Sequence, residues 1–359
     1  MSYNSYVILD DKIAVMDTVD GFFTEEWLNN VERVLDGKMP DYLVIQHMEP
    51  DHSASIPAFL KKYPKVTVVS TAKGFQFMEQ FFPEFFAGQG LPAEQRIVAA
   101  NDGILELGQH SLHFVYAPMV HWPEVMMTYE ATEKILFAAD GFGKFGALDV
   151  EEEWANEARR YYIGIVGKYG PQVQAVLKKA AGLDIQTICS LHGPVLKENL
   201  GFYLEKYDKW SSYQPEESGV VIAYASVYGN TRNAAEYLAD VLQEKGQKTV
   251  LYDLARCDKA KAVADAFRYD RLVLAGITYN GDLFPCMRSF IEGLTERNYQ
   301  NRKVAIIENG TWAPMAGKLI LGMFEKSKNL TFTETTVSIK SAMNEQNKGE
   351  IGKLAEELC

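Results

Sequence analysis

The strongest constraint on the fold lies in the second half of the chain, where short β-runs and helical stretches alternate five times. "VVIAYAS" precedes a helical pattern over about 231–245, "KTVLYDL" one over 258–267, and "RLVLAGI" one over 285–296. "KVAIIEN" then leads to a helix near 316–328, and "TFTETTVSI" to a last helix. Strands separated by helices are the signature of a doubly wound parallel sheet, which takes its ligands at the carboxyl ends of its strands.

The first half has a different grammar. "SYVIL" and "KIAVMD" flank Asp10–Asp11 and read as a hairpin, and "DYLVIQ", "KVTVVST" and "LHFVYAP" read as further strands. "TEEWLNNVERVL" reads as an amphipathic helix with Thr24 as its N-cap, and helices are expected around 73–82 and 151–181. A length of 359 residues exceeds one comfortable core. The polar stretch 207–219, with Pro215 and Gly219, is the expected linker, giving domains 1–212 and 218–359.

A net charge of −12 argues against a nucleic-acid groove, which needs clustered Lys and Arg. No apolar run is long enough to cross a bilayer, and no signal pattern opens the chain. Cys189, Cys257, Cys286 and Cys359 are scattered, without a CxxC pair, so neither a disulfide framework nor a cysteine-ligated metal is expected. A reducing, cytoplasmic location fits this composition best.

"HMEPDH" places His47, Glu49, Asp51 and His52 directly after the run "YLVIQ". In extended chain, His47, Glu49 and Asp51 share a face, and Pro50 stiffens the backbone between them. Three further candidates close β-runs downstream: His121 before Trp122–Pro123, Asp140 before Gly141–Phe142–Gly143, and His192 before Gly193–Pro194. A single histidine at a strand end is usually a hydrogen-bonded structural residue, and His110 and His113, with no acid nearby in sequence, are read that way. Seven imidazoles and carboxylates together are harder to bury without a metal.

H-x-E-x-D-H followed by single His, Asp and His resembles the metallo-β-lactamase-like domain of the flavodiiron proteins. Hydrolases of that fold usually carry H-x-H-x-D-H and bind zinc, whereas here Glu49 stands at the second histidine's place. A hard anionic oxygen favours ferric iron more than imidazole does. The resemblance implies two non-haem iron ions: His47, Glu49 and His121 on one, Asp51 and His192 on the other, and Asp140 bridging. His52 matches a position that is a ligand in some members and displaced by water in others.

"YASVYGNTRNAAEYL" joins a strand to a helix through Ser226, Val227, Tyr228, Gly229, Asn230 and Thr231. Hydroxyls and backbone N–H groups at a helix N-terminus form an anion nest, and the absence of a Walker lysine suits a terminal monophosphate. Such turns also merely cap helices. Two more loops follow the third and fourth β-runs: Thr278, Tyr279, Asn280 and Gly281, then Asn309, Gly310, Thr311 and Trp312. The arrangement resembles flavodoxin and implies FMN, with Tyr279 or Trp312 stacking on its ring.

The expected fold is therefore α/β throughout: a metallo-β-lactamase-like αββα sandwich, then a flavodoxin-like parallel sheet. The resemblance implies a soluble oxidoreductase that reduces dioxygen to water and/or nitric oxide to nitrous oxide, with FMN relaying electrons to the iron pair. Members of the family usually carry a further N-terminal segment containing strands; its absence from this sequence implies either an uncovered sheet edge or a wrongly chosen start codon. No rubredoxin-type cysteine module follows the flavin domain, so the donor is expected to be separate: rubredoxin, a deazaflavin or an NAD(P)H-linked reductase. A head-to-tail homodimer, or a dimer of such dimers, would bring one subunit's FMN to the other's irons. Two rivals are a dinuclear zinc hydrolase with a fused flavodoxin-like domain, and an electron carrier that has lost its metals.

Overall fold

The computed structural model describes residues 1–86 and 91–359. By internal contacts the chain divides into two units, Met1–Tyr162 with Pro171–Tyr207, and Ile163–Gly170 with Asp208–Cys359.

The first unit is built on two five-stranded sheets. One runs in the order β1 (Tyr6–Ile8), β2 (Ala14–Met16), β3 (Tyr42–Val44), β4 (Thr67–Ser70), β5 (Arg96–Val98). The first pair is antiparallel around Asp10–Asp11, as the hairpin reading expects, and the rest are parallel. The other holds β6 (Ile104–Glu106), β7 (Ser111–Tyr116), β8 (Met126–Glu130), β9 (Ile135–Phe137) and β10 (Thr187–Cys189), neighbours in that order.

Alternation along each strand decides which layer a side chain joins. Ala14, Met16, Val44 and Val69 point to the second sheet and meet Leu112, Phe114, Met126 and Phe137. Their neighbours Val15, Leu43 and Val68 point outward, where helices supply Trp27, Val31, Leu35, Phe59 and Met78. Helix Thr24–Leu35 presents that stripe at positions 27, 31 and 35, one face of a 3.6-residue period. The result is the expected αββα sandwich. Thr24 is not the N-cap: a 3₁₀ turn, Gly21–Phe23, precedes the helix and is capped by Asp20, while the Thr24 hydroxyl bonds Gly21 O. The helical region expected over 151–181 is two helices, Trp154–Ile165 and Gly170–Ala180, with a 3₁₀ turn between them.

Helix Leu200–Ser211 runs through the first part of the polar stretch 207–219, because Tyr207 and Trp210 turn inward and are buried. The next strand begins at Glu217.

In the second unit, β11 (Glu217–Tyr224), β12 (Thr249–Asp253), β13 (Tyr269–Tyr279), β15 (Arg302–Asn309) and β16 (Leu330–Ile339) are all parallel, and β14 (Asp282–Leu283) folds back on β13. Their spatial order is β12-β11-β13-β15-β16, the flavodoxin-like 2-1-3-4-5 arrangement. Val220 to Ala223, Leu272 to Ala275 and Val304 to Ala305 are wholly buried, as strands covered by helices on both faces require. Helices Asn230–Glu244 and Glu345–Leu358 share one face of this sheet.

Candidate metal centre and anion loop

The histidine–acid motif is aimed by a buried carboxylate. Asp17 accepts hydrogen bonds from the Gln46 backbone N–H and the Gln46 side-chain amide, both at 2.8 Å, pinning the chain just before His47. Burial pushes the Asp17 carboxyl up to about 6, with the Gln46 bonds opposing.

The extended backbone ends at Glu49. Pro50 occupies the first position of a short helix, Pro50–Ser53, where its fixed φ suits the turn. That turn separates the motif into two groups: His47 and Glu49 join His121 and Asp140, whereas Asp51 and His52 join His192. His47, Glu49 and Asp51 therefore do not share one face, because the chain is helical from Pro50 onward. Within each group the donor atoms lie within 4.8 Å of one another.

Asp140 links the groups. Its Oδ2 lies 3.0 Å from His121 Nε2 and 3.5 Å from His47 Nε2; its Oδ1 lies 3.1 Å from His52 Nε2 and 3.5 Å from His192 Nε2. Glu49 Oε2 stands 3.0 Å from His121 Nε2, and Asp51 Oδ2 3.3 Å from His192 Nε2. His52, the residue whose ligand role varies among the proteins it resembles, sits as close to Asp140 as His121 does.

The donor set fits metal ions. His52 Nε2 and His192 Nε2 face each other at 3.0 Å, and Asp51 Oδ1 and Asp140 Oδ1 are buried without a hydrogen-bond partner. Converging lone pairs of this kind are costly in a protein interior unless a cation lies between them. His192 Nδ1 donates to the Ser2 carbonyl at 2.8 Å, which leaves its Nε2 lone pair facing inward. His47 Nδ1 bonds the buried Glu124 Oε1 at 2.8 Å to the same effect. Such outer partners fix ring orientation and ligand basicity.

The groups of the nest also shift one another's titration. Burial alone would lower His47, but Glu124, Glu49 and Asp140 outweigh it and raise the imidazole to about 10. Burial would raise Glu49, and His121 and His47 instead hold it down to about 2. Asp140 is likewise kept well below the carboxylate range, by His52 and His121 against its burial. The carboxylates are held in their charged form, and a proton on His47 is what a bound cation would displace.

Ser2, Asp17 and Glu124 frame the nest, and the sequence reading missed them. Each is ordinary in its local sequence and acquires its role only through a partner far away in the chain. His110 does have an acid beside it: Asp10 Oδ2, 100 positions away, takes its Nδ1 bond at 2.9 Å. His113 bonds only its neighbour Ser111 among the contacts described.

The three loops of the second unit lie at the carboxyl ends of β11, β13 and β15, which are adjacent strands. Gly229, at φ +90°, forms the N-cap of helix Asn230–Glu244 and donates its N–H to Ser226 Oγ at 3.2 Å. A left-handed φ with open space on the Cβ side suits glycine and leaves the backbone free to approach a ligand. Asn230 and Thr231 belong to the helix itself, with Thr231 buried.

The second loop is a hairpin rather than an open loop: Thr278 and Tyr279 end β13 and pair with β14 across Asn280 (φ +52°) and Gly281 (φ +69°). Two left-handed residues make the tight turn that Asn-Gly favours. Thr278 Oγ1 accepts from the Met315 and Ala316 N–H groups, so its hydroxyl holds the start of helix Ala316–Met323. Asn309, the last residue of β15, exchanges hydrogen bonds with Ser341, and Thr311 Oγ1 lies 2.9 Å from Ser341 Oγ. Gly310 packs so tightly that an added Cβ would stand 2.8 Å from Pro314 Cα. Around this frame Tyr228 is 93% and Trp312 90% exposed, and Val227 and Tyr279 are about half exposed. Large aromatics held in solvent at a sheet's ligand edge fit an aromatic ring, and the glycine-bearing nest fits its phosphate.

Comparisons place this architecture. Residues 1–193 match the family described as ODP family beta lactamase, and residues 221–330 match a flavodoxin domain. The diflavin flavoprotein A 1 of Synechocystis sp. is 33% identical over 265 residues, covering 72% of this chain. This chain spans 45% of that relative's length. The nitric oxide reductase of Moorella thermoacetica is 28% identical over 328 residues, 89% of this chain and 80% of the relative. Among solved structures, the rubredoxin oxygen:oxidoreductase of Desulfovibrio gigas superposes with a TM-score of 0.90 at 24% identity, over 99% of this chain and 89% of that one, a likeness of fold. With a β-lactamase-like metal unit continuous with a flavodoxin domain, the chain belongs to the ODP family, in the two-part architecture of the flavodiiron proteins.

Proposed function

We propose that this protein reduces dioxygen to water and/or nitric oxide to nitrous oxide, taking electrons from a separate donor through FMN to a pair of non-haem irons. The observation that carries the reading is Asp140, whose two oxygens address two different groups of imidazoles and carboxylates. When bound, two ferrous ions and one reduced flavin together hold four electrons, the number dioxygen needs, and two suffice to join two nitric oxide molecules.

The chain's own residues do the holding. His47, Glu49 and His121 make one half of the nest; Asp51, His52 and His192 make the other, and Asp140 spans them. Three carboxylates offset cationic charge, while Glu124 and the Ser2 carbonyl keep two imidazoles aimed. Ser226, Val227, Tyr228, Gly229, Asn230 and Thr231 would take the flavin phosphate. Thr278 to Gly281 and Asn309 to Trp312 would flank its ring. Domain limits of 1–212 and 218–359, a cytoplasmic location and a head-to-tail homodimer complete the proposal; the donor class is rubredoxin, a deazaflavin or an NAD(P)H-linked reductase.

No helix among the described residues is long and apolar enough to cross a membrane. The zinc-hydrolase reading is disfavoured by Glu49, a carboxylate where the hydrolases place imidazole, and by the oxidoreductases among the relatives. The test is gas consumption by iron-loaded, flavin-reduced protein: uptake of either gas supports the proposal, and uptake of neither refutes it.

A further inference from the structure

Between the second sheet and the helices that cover it, the first unit contains a cavity in which the centre of a water-sized sphere can move through about 30 Å³. One water needs only about 10–15 Å³ on that measure. The walls are Val115 from β7, Met127 and Leu136 from the sheet's middle, and the stripe Val173, Val176, Leu177 and Ala180 on helix Gly170–Ala180. Every other lining side chain is apolar, and the one hydroxyl present, on Tyr207, accepts the Phe142 N–H at 2.6 Å. The lining thus offers at most one polar side chain where water needs two to four partners. The Tyr207 ring stacks on Phe142 at 4.2 Å, which closes that side. Water has little to hold it here, and a molecule without strong dipoles loses nothing by entering.

The position of the cavity gives it a use. Among its buried walls are Val120 and Phe142, 3% and 4% exposed. Val120 is the chain neighbour of His121, and Phe142 lies two residues beyond Asp140. Val176, Leu177 and Leu204, also in its walls, are only half-buried. Walls of one chemical kind therefore include both half-buried helix residues and close chain neighbours of two metal-nest residues.

We propose that this cavity is a binding site for small apolar gas molecules, and that it conducts dioxygen or nitric oxide to the metal nest from the helix side. The holding role stands on the cavity alone; the conducting role rests on the proposed gas reduction. Apolar surroundings concentrate such gases relative to water while turning water away, which would supply substrate and keep solvent from the reacting centre.

Xenon pressure tests the holding role directly, by anomalous scattering from pressurised crystals of the full chain or by xenon-129 NMR. Xenon is expected in the cavity of the wild-type protein and lost from Val176→Phe, whose ring fills the space; Leu204→Phe, from the other helix, is an independent plug should the first not fold. With the same variants, the KM for gas is expected to rise while kcat at saturating gas and the rate of flavin reduction stay unchanged. Absence of xenon from the wild-type cavity would overturn the site. Loss of xenon from a plugged variant with no change in KM would overturn conduction. If the protein consumes neither gas, the proposed activity falls, and xenon occupancy still decides the holding site.

Discussion

Replacing Glu124 by glutamine would remove one buried negative charge from behind the metal nest while nearly preserving shape. Glu124 Oε1 accepts from His47 Nδ1 at 2.8 Å and from the Met48 N–H at 2.9 Å, and its Oε2 is buried with no hydrogen-bond partner. The glutamine oxygen can retain both bonds, so the substitution exchanges charge-assisted bonds for neutral ones and places an amide N–H₂ where a bare oxygen stood. The exchange costs about 0.5–2 kcal/mol of stability for each of the two bonds, from charge-assisted bonds of roughly 1.5–3 against neutral ones near 1. Its larger effect is on the metal: a weaker partner leaves His47 less basic and less firmly aimed. Changes of this kind lower metal affinity about 10–100-fold, equivalent to about 1.4–2.7 kcal/mol.

Only the His47 group should suffer, because His52 and His192 do not touch Glu124. Anaerobic ferrous titration of metal-free Glu124→Gln should therefore show one weakened binding event and one unchanged, with flavin affinity equal to wild type. Two unchanged metal affinities would refute the argument that Glu124 tunes the nest. A loss of both metals together with the flavin would show instead that the side chain merely holds the fold.

Three further outcomes follow from particular contacts. Thr278→Val removes the acceptor for the Met315 and Ala316 N–H groups; it should cost about 1 kcal/mol, as a lost helix cap does, and weaken flavin binding by isothermal titration without altering metal content. Gly310→Ala places a Cβ 2.8 Å from Pro314 Cα, so the loop bearing Trp312 must shift; flavin dissociation should accelerate in a stopped-flow release assay. Asp10 accepts bonds from the His110 N–H, the Asp11 N–H and the His110 ring; desolvation opposes them, and they still hold its carboxyl down, from 3.8 to about 2. Its stabilisation is thus full above pH 3.8 and lost as pH falls through about 2. Urea unfolding should find Asp10→Asn less stable than wild type near neutral pH, with the difference vanishing towards pH 2.

The fold was legible where one rule dominates. The second unit declared itself because strands such as Val220–Tyr224 and Leu272–Ala275 are buried on both faces and read as unbroken apolar runs between helices. The metal motif was legible because four of its residues fall within six positions. Its division into two groups was not, since that depends on Pro50 starting a helix where extended chain was expected. The Asn280–Gly281 pair is a hairpin signal in the sequence, but its second strand, β14, has only two residues and leaves no alternating run to read. Ser2 and Glu124 had no local signal at all. Each lies tens of positions or more from the histidine it orients, 190 for Ser2 and 77 for Glu124, and such pairs are set by packing rather than by spacing. Tyr207 and Trp210 misled for a related reason: polar neighbours hid a helix whose buried face needs only one residue per turn.

The central claim is that one carboxylate joins two metal sites filled by iron beside a flavin-binding sheet. Elemental analysis of the full chain purified without oxygen, read together with its flavin absorption, tests it most directly. The account predicts two irons and one FMN per chain, with iron falling in Asp140→Asn while FMN is retained. Zinc in both sites, or flavin without iron, would contradict it.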